Sequence, residues 1–189
     1  MGQQQETVTI RELGRPGDLG WVVMANGVLY VEEFGWDTSF EALCARIVAD
    51  YAAEAEAAPA GAAAWIAELD GERVGCVFVV RGDEPGTARL RLLLVDERAR
   101  GRRLGYRLVA SALDFAAAAG YERMQLWTNH PLAAARHVYL EHGFALVREE
   151  PHHSFGVDLV GQTYELDLRS RATAGGSDAS GIQAVDTRL

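Results

Sequence analysis

The chain has 189 residues, 49% of them hydrophobic and 24% charged, with 18 cationic against 27 acidic side chains and a net charge of −9. That apolar content excludes a disordered chain, and the negative balance argues against general affinity for nucleic acid or an anionic membrane. No run approaches the ~20 apolar residues of a bilayer span, and MGQQQETVTI lacks the basic end and apolar run of a signal peptide, so a cytoplasmic protein is expected.

Residues 1–5 read as a flexible polar leader, 6–168 as one domain and 169–189 as a flexible Gly/Ser-rich tail. Within the domain, 7–13 (TVTIREL) alternates as a strand. Asp18 is expected to cap a helix through Trp21, Val22, Leu29 and Tyr30, with Gly27 weakening its middle. A second helix starts at Thr38 or Ser39 and carries Phe40, Leu43, Ile47 and Tyr51 at helical spacing. The alanine-rich run 52–64, broken by Pro59 and Gly61, reads as a helix end and a loop. The period then changes to two: 64–69 and 73–80 flank Asp70-Gly71, a hairpin turn signal. Next comes a strand at 87–95, where Leu90, Leu92 and Leu94 alternate with Arg89 and Arg91. A helix follows with a stripe of Leu104, Leu108, Ala112, Phe115 and Ala119. Residues 122–128 form a strand, Pro131 opens a short helix ending at Gly143, and two strands, 145–149 and 162–168, enclose a His/Phe/Gly loop. The fold class expected is α/β (α+β): a mixed, mostly antiparallel central sheet with one parallel crossover and helices on both faces.

All the basic residues are arginine, and seven of the 18 fall within residues 89–107. They flank a strand-to-helix junction, where unpaired N–H groups and the positive end of the helix dipole favour an anion. Gly101 and Gly105 leave room there for phosphates to approach the backbone. A solvated arginine-rich helix face is the competing reading. The segment is neither a Walker loop nor a dinucleotide fingerprint, since both spacings are missing. Cys44 and Cys76 lack partner spacing and read as buried thiols. His152, His153 and Asp158 are joined by no further ligand at a recognisable metal-binding spacing, so no metal is expected.

Leu93-Leu94-Val95, followed by Arg100-Gly101-Arg102-Arg103-Leu104-Gly105, Ala135-Arg136-His137-Val138-Tyr139 and Gly143-Phe144, resembles the GNAT superfamily of acyl-CoA-dependent N-acyltransferases. Arg103 stands where the first of two spaced glycines is usual, and Leu132 replaces a frequent asparagine. The stretches GDLGWVV, LYVEEFGWD, LWTNHPLAAARHVY and EEPHHSFGVDLVGQTYELDL are similar to the acetyltransferase half of bacterial winged-helix regulator/GNAT fusions, without the regulator half.

The resemblance implies a splayed parallel strand pair and acetyl-CoA as cosubstrate. It assigns coenzyme contacts to Leu93, Leu94, Val95, Arg100, Gly101, Arg102, Arg103, Leu104 and Gly105, with a backbone N–H near Leu94 or Val95 polarising the thioester carbonyl. Tyr139 matches the family tyrosine that protonates the leaving thiolate. Glu33 is the candidate base, with Glu32, Trp36, His153 and Phe155 as acceptor-side residues. At most one of the adjacent histidines is expected to face the cleft. The acceptor would be a small-molecule or peptide amine, with neither nucleic acid nor membrane as partner and a homodimer left open. The alternatives are a non-catalytic acyl-CoA sensor or interaction module and, last, arginine-mediated nucleic-acid binding.

Overall fold

A computed structural model describes residues 6–169, so the leader at 1–5 and all of the tail beyond Arg169 lie outside the described residues. In chain order the elements are β1 (Val8–Glu12), α1 (Asp18–Phe34), α2 (Thr38–Ala57), β2 (Ala63–Leu69), β3 (Glu72–Arg81), β4 (Thr87–Val95), α3 (Leu104–Ala118), β5 (Arg123–Asn129), α4 (Ala133–Glu141), β6 (Ala145–Ser154) and β7 (Val157–Asp167), with short 3-10 turns at Pro59–Gly61 and Glu97–Ala99. The strands form one sheet in the order β1-β2-β3-β4-β5-β7-β6. Among the described strands only β4 and β5 run parallel, and the other pairs are antiparallel.

Both sheet faces are packed. On one, Val22 of α1 and Val48 and Tyr51 of α2 meet Ile66, Cys76, Phe78 and Leu94. On the other, Leu104, Leu108 and Leu113 of α3 meet Val77, Val79, Leu90, Met124 and Leu126. Burying each large apolar side chain stabilises the fold by about 1.5–3 kcal/mol. Gly27 also has a packing role: it is buried in α1, and a Cβ there would come 3.0 Å from the Glu41 side chain.

The β2–β3 hairpin turns at Asp70-Gly71, where both φ values are positive (51° and 85°), as the turn signal requires. Several expectations need correction. Gly17, not Asp18, is the N-cap of α1, while Asp18 is the first helical residue; α2 does begin at Thr38 as expected, capped by Asp37, which accepts from the Ser39 N–H. Pro131 precedes α4 by two residues, and Ala119 is the exposed C-cap of α3 rather than part of its buried stripe.

The His/Phe/Gly loop is a hairpin. β6 runs on through His152 and His153 to Ser154, and the chain reverses at Phe155-Gly156 with φ of 59° and 79°. β6 is an edge strand with mostly exposed residues, so it lacks the burial alternation by which strands are read.

The strand-leucine alternation also breaks. Leu92 has φ 49°, and the β3–β4 register shifts between Cys76 and Phe78, whose partners are Leu94 and Arg91. The extra residue is a β-bulge. Leu90 therefore faces α3 while Leu92 and Leu94 both face α1 and α2. The β4–β5 ladder covers only Thr87–Leu90 against Arg123–Leu126, whereas β5 stays paired with β7 out to Asn129. Beyond Leu90 the two parallel strands part.

Candidate active site

A cleft of about 570 Å³ opens where β4 and β5 part. Its walls are Leu93, Leu94 and Val95 of β4, the segment beginning α3, Ala135 and Val138 of α4, and Tyr30 and Glu33 of α1. Both the volume and the mostly apolar lining suit a small-molecule site.

The start of α3 gives this cleft its polarity. The helix has no side-chain cap, and its first backbone bond runs from the Arg107 N–H to the Arg103 carbonyl at 3.0 Å. The N–H groups of Leu104, Gly105 and Tyr106 precede that bond and belong to the unsatisfied first turn, where the helix dipole is positive. Gly101 takes φ 77°, which a glycine adopts freely. A Cβ on Gly105 would reach only ordinary contact with Val138 and Val95, at 3.5 and 3.6 Å, so bulk beyond Cβ would enter the cleft. Arg103, the departure from the double-glycine pattern, accepts φ 55° and lays its guanidinium over the Tyr106 ring at 4.4 Å.

Five of the seven clustered arginines are engaged in ion pairs rather than lining an open cradle. Arg89 pairs with Asp83, Arg98 with Asp96, Arg100 with Glu33, Arg102 with Glu6, and Arg103 with Glu141 at 4.0 Å. The positive character at this end of the cleft therefore comes from backbone N–H groups at the start of α3 more than from summed side-chain charge.

Of the residues singled out by sequence, the structure brings Leu93, Leu94, Val95, Arg100, Gly101, Arg103, Leu104, Gly105 and Glu33 to the cleft. Arg102, Glu32, Trp36, His153, Phe155 and Tyr139 do not line it. Glu32 is exposed on α1. Tyr139 lies behind the α4 wall, 5% exposed, against Phe144 and Tyr164. Burial pushes its hydroxyl well above the usual phenol range, and the neighbouring Tyr30 adds to the rise, so it stays protonated.

Trp36 and Phe155 do meet, with ring centroids 4.8 Å apart, in an aromatic cluster that ties the β6–β7 tip to α1 and α2. Tyr30, Phe34, Phe40 and Leu132 join it, and Tyr30, Phe34 and Leu132 also line the cleft. Sequence reasoning did not assign Tyr30, Phe34 or Leu132 to the site. The available signal was the aromatic spacing Tyr30, Phe34, Trp36, Phe40 across a helix break. The two histidines point to opposite faces, as adjacent strand residues do. His153 meets Asp158 at 2.7 Å, while His152 is held by Asn129 and Ser154, each at 2.9 Å. Neither lines the cleft. Among the described residues no cluster of three or more His, Cys, Asp or Glu is placed to hold a metal, and no helix is long and apolar enough to cross a membrane.

The pattern of the acetyltransferase (GNAT) family matches residues 28–144. The chain belongs to the GNAT acetyltransferase family. It is similar to N-acetylaspartate synthetase of Homo sapiens, 33% identical over 111 residues that make up 59% of this chain and 35% of the human protein. The Danio rerio protein of the same name is 32% identical over 91 residues, 48% of this chain and 32% of that one. The chain thus spans about a third of the length of these relatives. Among solved structures, an N-acetyltransferase from Staphylococcus aureus Mu50 superposes with a TM-score of 0.71 at 18% identity, covering 86% of this chain and 99% of that one. A Salmonella typhimurium acetyltransferase with its cofactor acetyl-CoA gives 0.64 at 19% identity, covering 94% and 99%. The single parallel pair in an otherwise antiparallel sheet, among the described residues, is part of the fold shared with these GNAT structures.

Proposed function

We propose that this GNAT protein transfers an acetyl group from acetyl-CoA to the primary amine of a small molecule or peptide, by direct attack in a ternary complex. The observation that carries the reading is the uncapped N-terminus of α3 facing the same cleft as the β4 backbone at Leu93–Val95. When bound there, acetyl-CoA supplies the activated acyl group and a thiolate leaving group. The α3 N–H groups, with Gly101 and Gly105, hold the pyrophosphate; the β4 backbone polarises the carbonyl, an effect worth about 3 kcal/mol in comparable sites. Holding the partners aligned contributes about 7–11 kcal/mol. Tyr139, its hydroxyl kept neutral by burial, is the proposed source of the proton for the departing sulfur.

Glu33 is the proposed proton acceptor for the amine, since it alone of the acceptor-side and base candidates lines the cleft. Its carboxylate pairs with Arg100. Pyrophosphate competes for that arginine, so cofactor binding releases Glu33 for the amine. Glu33→Gln is therefore expected to lower kcat by about 10²-fold while tightening acetyl-CoA binding, because Arg100 loses its competing carboxylate. Calorimetry beside steady-state kinetics checks both directions. A weakened affinity would contradict the exchange.

The acceptor belongs to the same reading. The relatives' name points to the amine of aspartate, whereas the net charge of −9 favours a cationic amine. The likeness to the acetyltransferase half of winged-helix regulator fusions concerns this acyl-transfer half alone. The reduced, buried Cys44 and Cys76 suit the cytoplasm. A panel of aspartate, other amino acids, polyamines and peptides, assayed for release of free coenzyme A, tests the proposal. Release with one amine class above the hydrolysis background is the expected result. Binding of acetyl-CoA without turnover on any amine would favour the sensor reading.

A further inference from the structure

The bulge in β4 is held from behind. Cys76 lies on β3, fully buried on the sheet face covered by α1 and α2. Its thiol donates to the carbonyl of Leu92 with Sγ 3.2 Å from the oxygen. Leu92 is the bulge residue at φ 49°, and neither it nor Leu93 has a partner in the β3–β4 register or the β4–β5 register. The carbonyl has left the plane of the ladder and points toward α1 and α2.

A trans peptide is planar, with its N–H opposed to its C=O. With the Leu92 carbonyl turned toward α1 and α2, the Leu93 N–H is turned to the opposite face, where Leu93 joins the α3-side core and lines the cleft. A second side chain fixes the thiol. Asn26 of α1 is 1% exposed, donates from Nδ2 to the Val22 carbonyl at 2.8 Å, and sits beside the Cys76 sulfur. The chain of contacts runs from α1 through Cys76 to one end of the peptide whose other end faces the cleft.

We infer that Cys76, steadied by Asn26, is a positioning residue for acyl transfer: its thiol locks the Leu92–Leu93 peptide so that the Leu93 N–H is the donor aimed at the acyl carbonyl. The lock moves the donor from the Leu94–Val95 region, where sequence placed it, to Leu93. It also gives a purpose to a buried thiol that packing alone would leave replaceable by any small apolar residue. Burial keeps that thiol in its protonated, donating form. The inference rests on the acetyltransferase reading for its catalytic consequence but not for its geometry.

Two variants separate the donor from the volume it fills. Cys76→Ser keeps an O–H donor, and Cys76→Val keeps apolar bulk without one. Three quantities are read on each: the backbone amide resonance of Leu93 by nuclear magnetic resonance, kcat and KM for acetyl-CoA, and the melting temperature. The valine variant is expected to shift the Leu93 amide and lose about 10–100-fold in kcat, the scale of a misplaced catalytic group. Its acetyl-CoA KM is expected to stay within about threefold, because the pyrophosphate contacts at α3 are untouched. Serine is expected to restore both the resonance and most of the rate. An unmoved Leu93 amide in the valine variant overturns the lock. Equal losses in both variants that track a falling melting temperature overturn it too, leaving Cys76 a packing residue. If wild type shows no transferase activity, the proposed function fails, and the amide resonance still decides the lock.

Discussion

Replacing Tyr139 with phenylalanine is expected to lower kcat by about 10²–10⁴-fold, the range for loss of a positioned general acid, with acetyl-CoA affinity unchanged. The hydroxyl is neutral because burial disfavours its ionised form, so it has a proton to give as the sulfur departs. Phenylalanine keeps the ring contacts with Phe144 and Tyr164, 5.8 and 6.3 Å between centroids, so a fallen rate with an unchanged melting temperature isolates the proton. Tyr30→Phe is the control, because Tyr30 already lines the cleft. If Tyr139→Phe turns over at the wild-type rate while Tyr30→Phe does not, the acid is Tyr30.

The second large effect is on stability. Asp18, 1% exposed at the start of α1, accepts from both terminal nitrogens of Arg11 at 2.7 and 2.9 Å and from the N–H groups of Gly14 and Arg15 at 3.0 and 2.9 Å, and it forms an ion pair with Arg73, whose Nε is 3.0 Å away. Arg11 also holds Glu68. Removing one partner of such a buried unit strands the others, so Asp18→Ala is expected to cost about 3–5 kcal/mol in urea unfolding at pH 7. Hydrogen bonding from Arg11, and then from the two backbone N–H groups, holds the Asp18 carboxyl below its ordinary range despite burial. Its contribution is therefore present above the unfolded value of about 3.9 and fades as pH falls through the lower folded value. Asp18→Asn should be closer to wild type at pH 3 than at pH 7. A gap that widens on acidification would contradict this account.

The strand–helix order was readable because period-two and period-3.6 patterns alternate cleanly, and the glycines at the α3 junction marked the helix end that opens on the cleft. The bulge was hidden, since Leu90, Leu92 and Leu94 keep a perfect alternation in sequence while Leu92 turns to the other face at positive φ. Only the pairing with β3 reveals the extra residue, and with it the donor assignment to Leu93. The β6–β7 hairpin was hidden for another reason: Phe155 occupies a positive-φ turn position that phenylalanine seldom takes. Its docking on Trp36 and Phe40 is a contact between elements over 100 residues apart. The ion pair between Glu33 and Arg100 is likewise long-range, and no local pattern announces it.

The most direct test of the central claim is calorimetric titration of acetyl-CoA and coenzyme A into wild type and Gly105→Val. The Gly105 Cβ is tolerated at 3.5 Å from Val138, so the variant should fold, while the valine methyls project into the cleft. The account predicts wild-type binding that Gly105→Val loses at an unchanged melting temperature. Equal binding by both proteins, or none by folded wild type, would mean that the start of α3 is not where this chain holds its acyl donor.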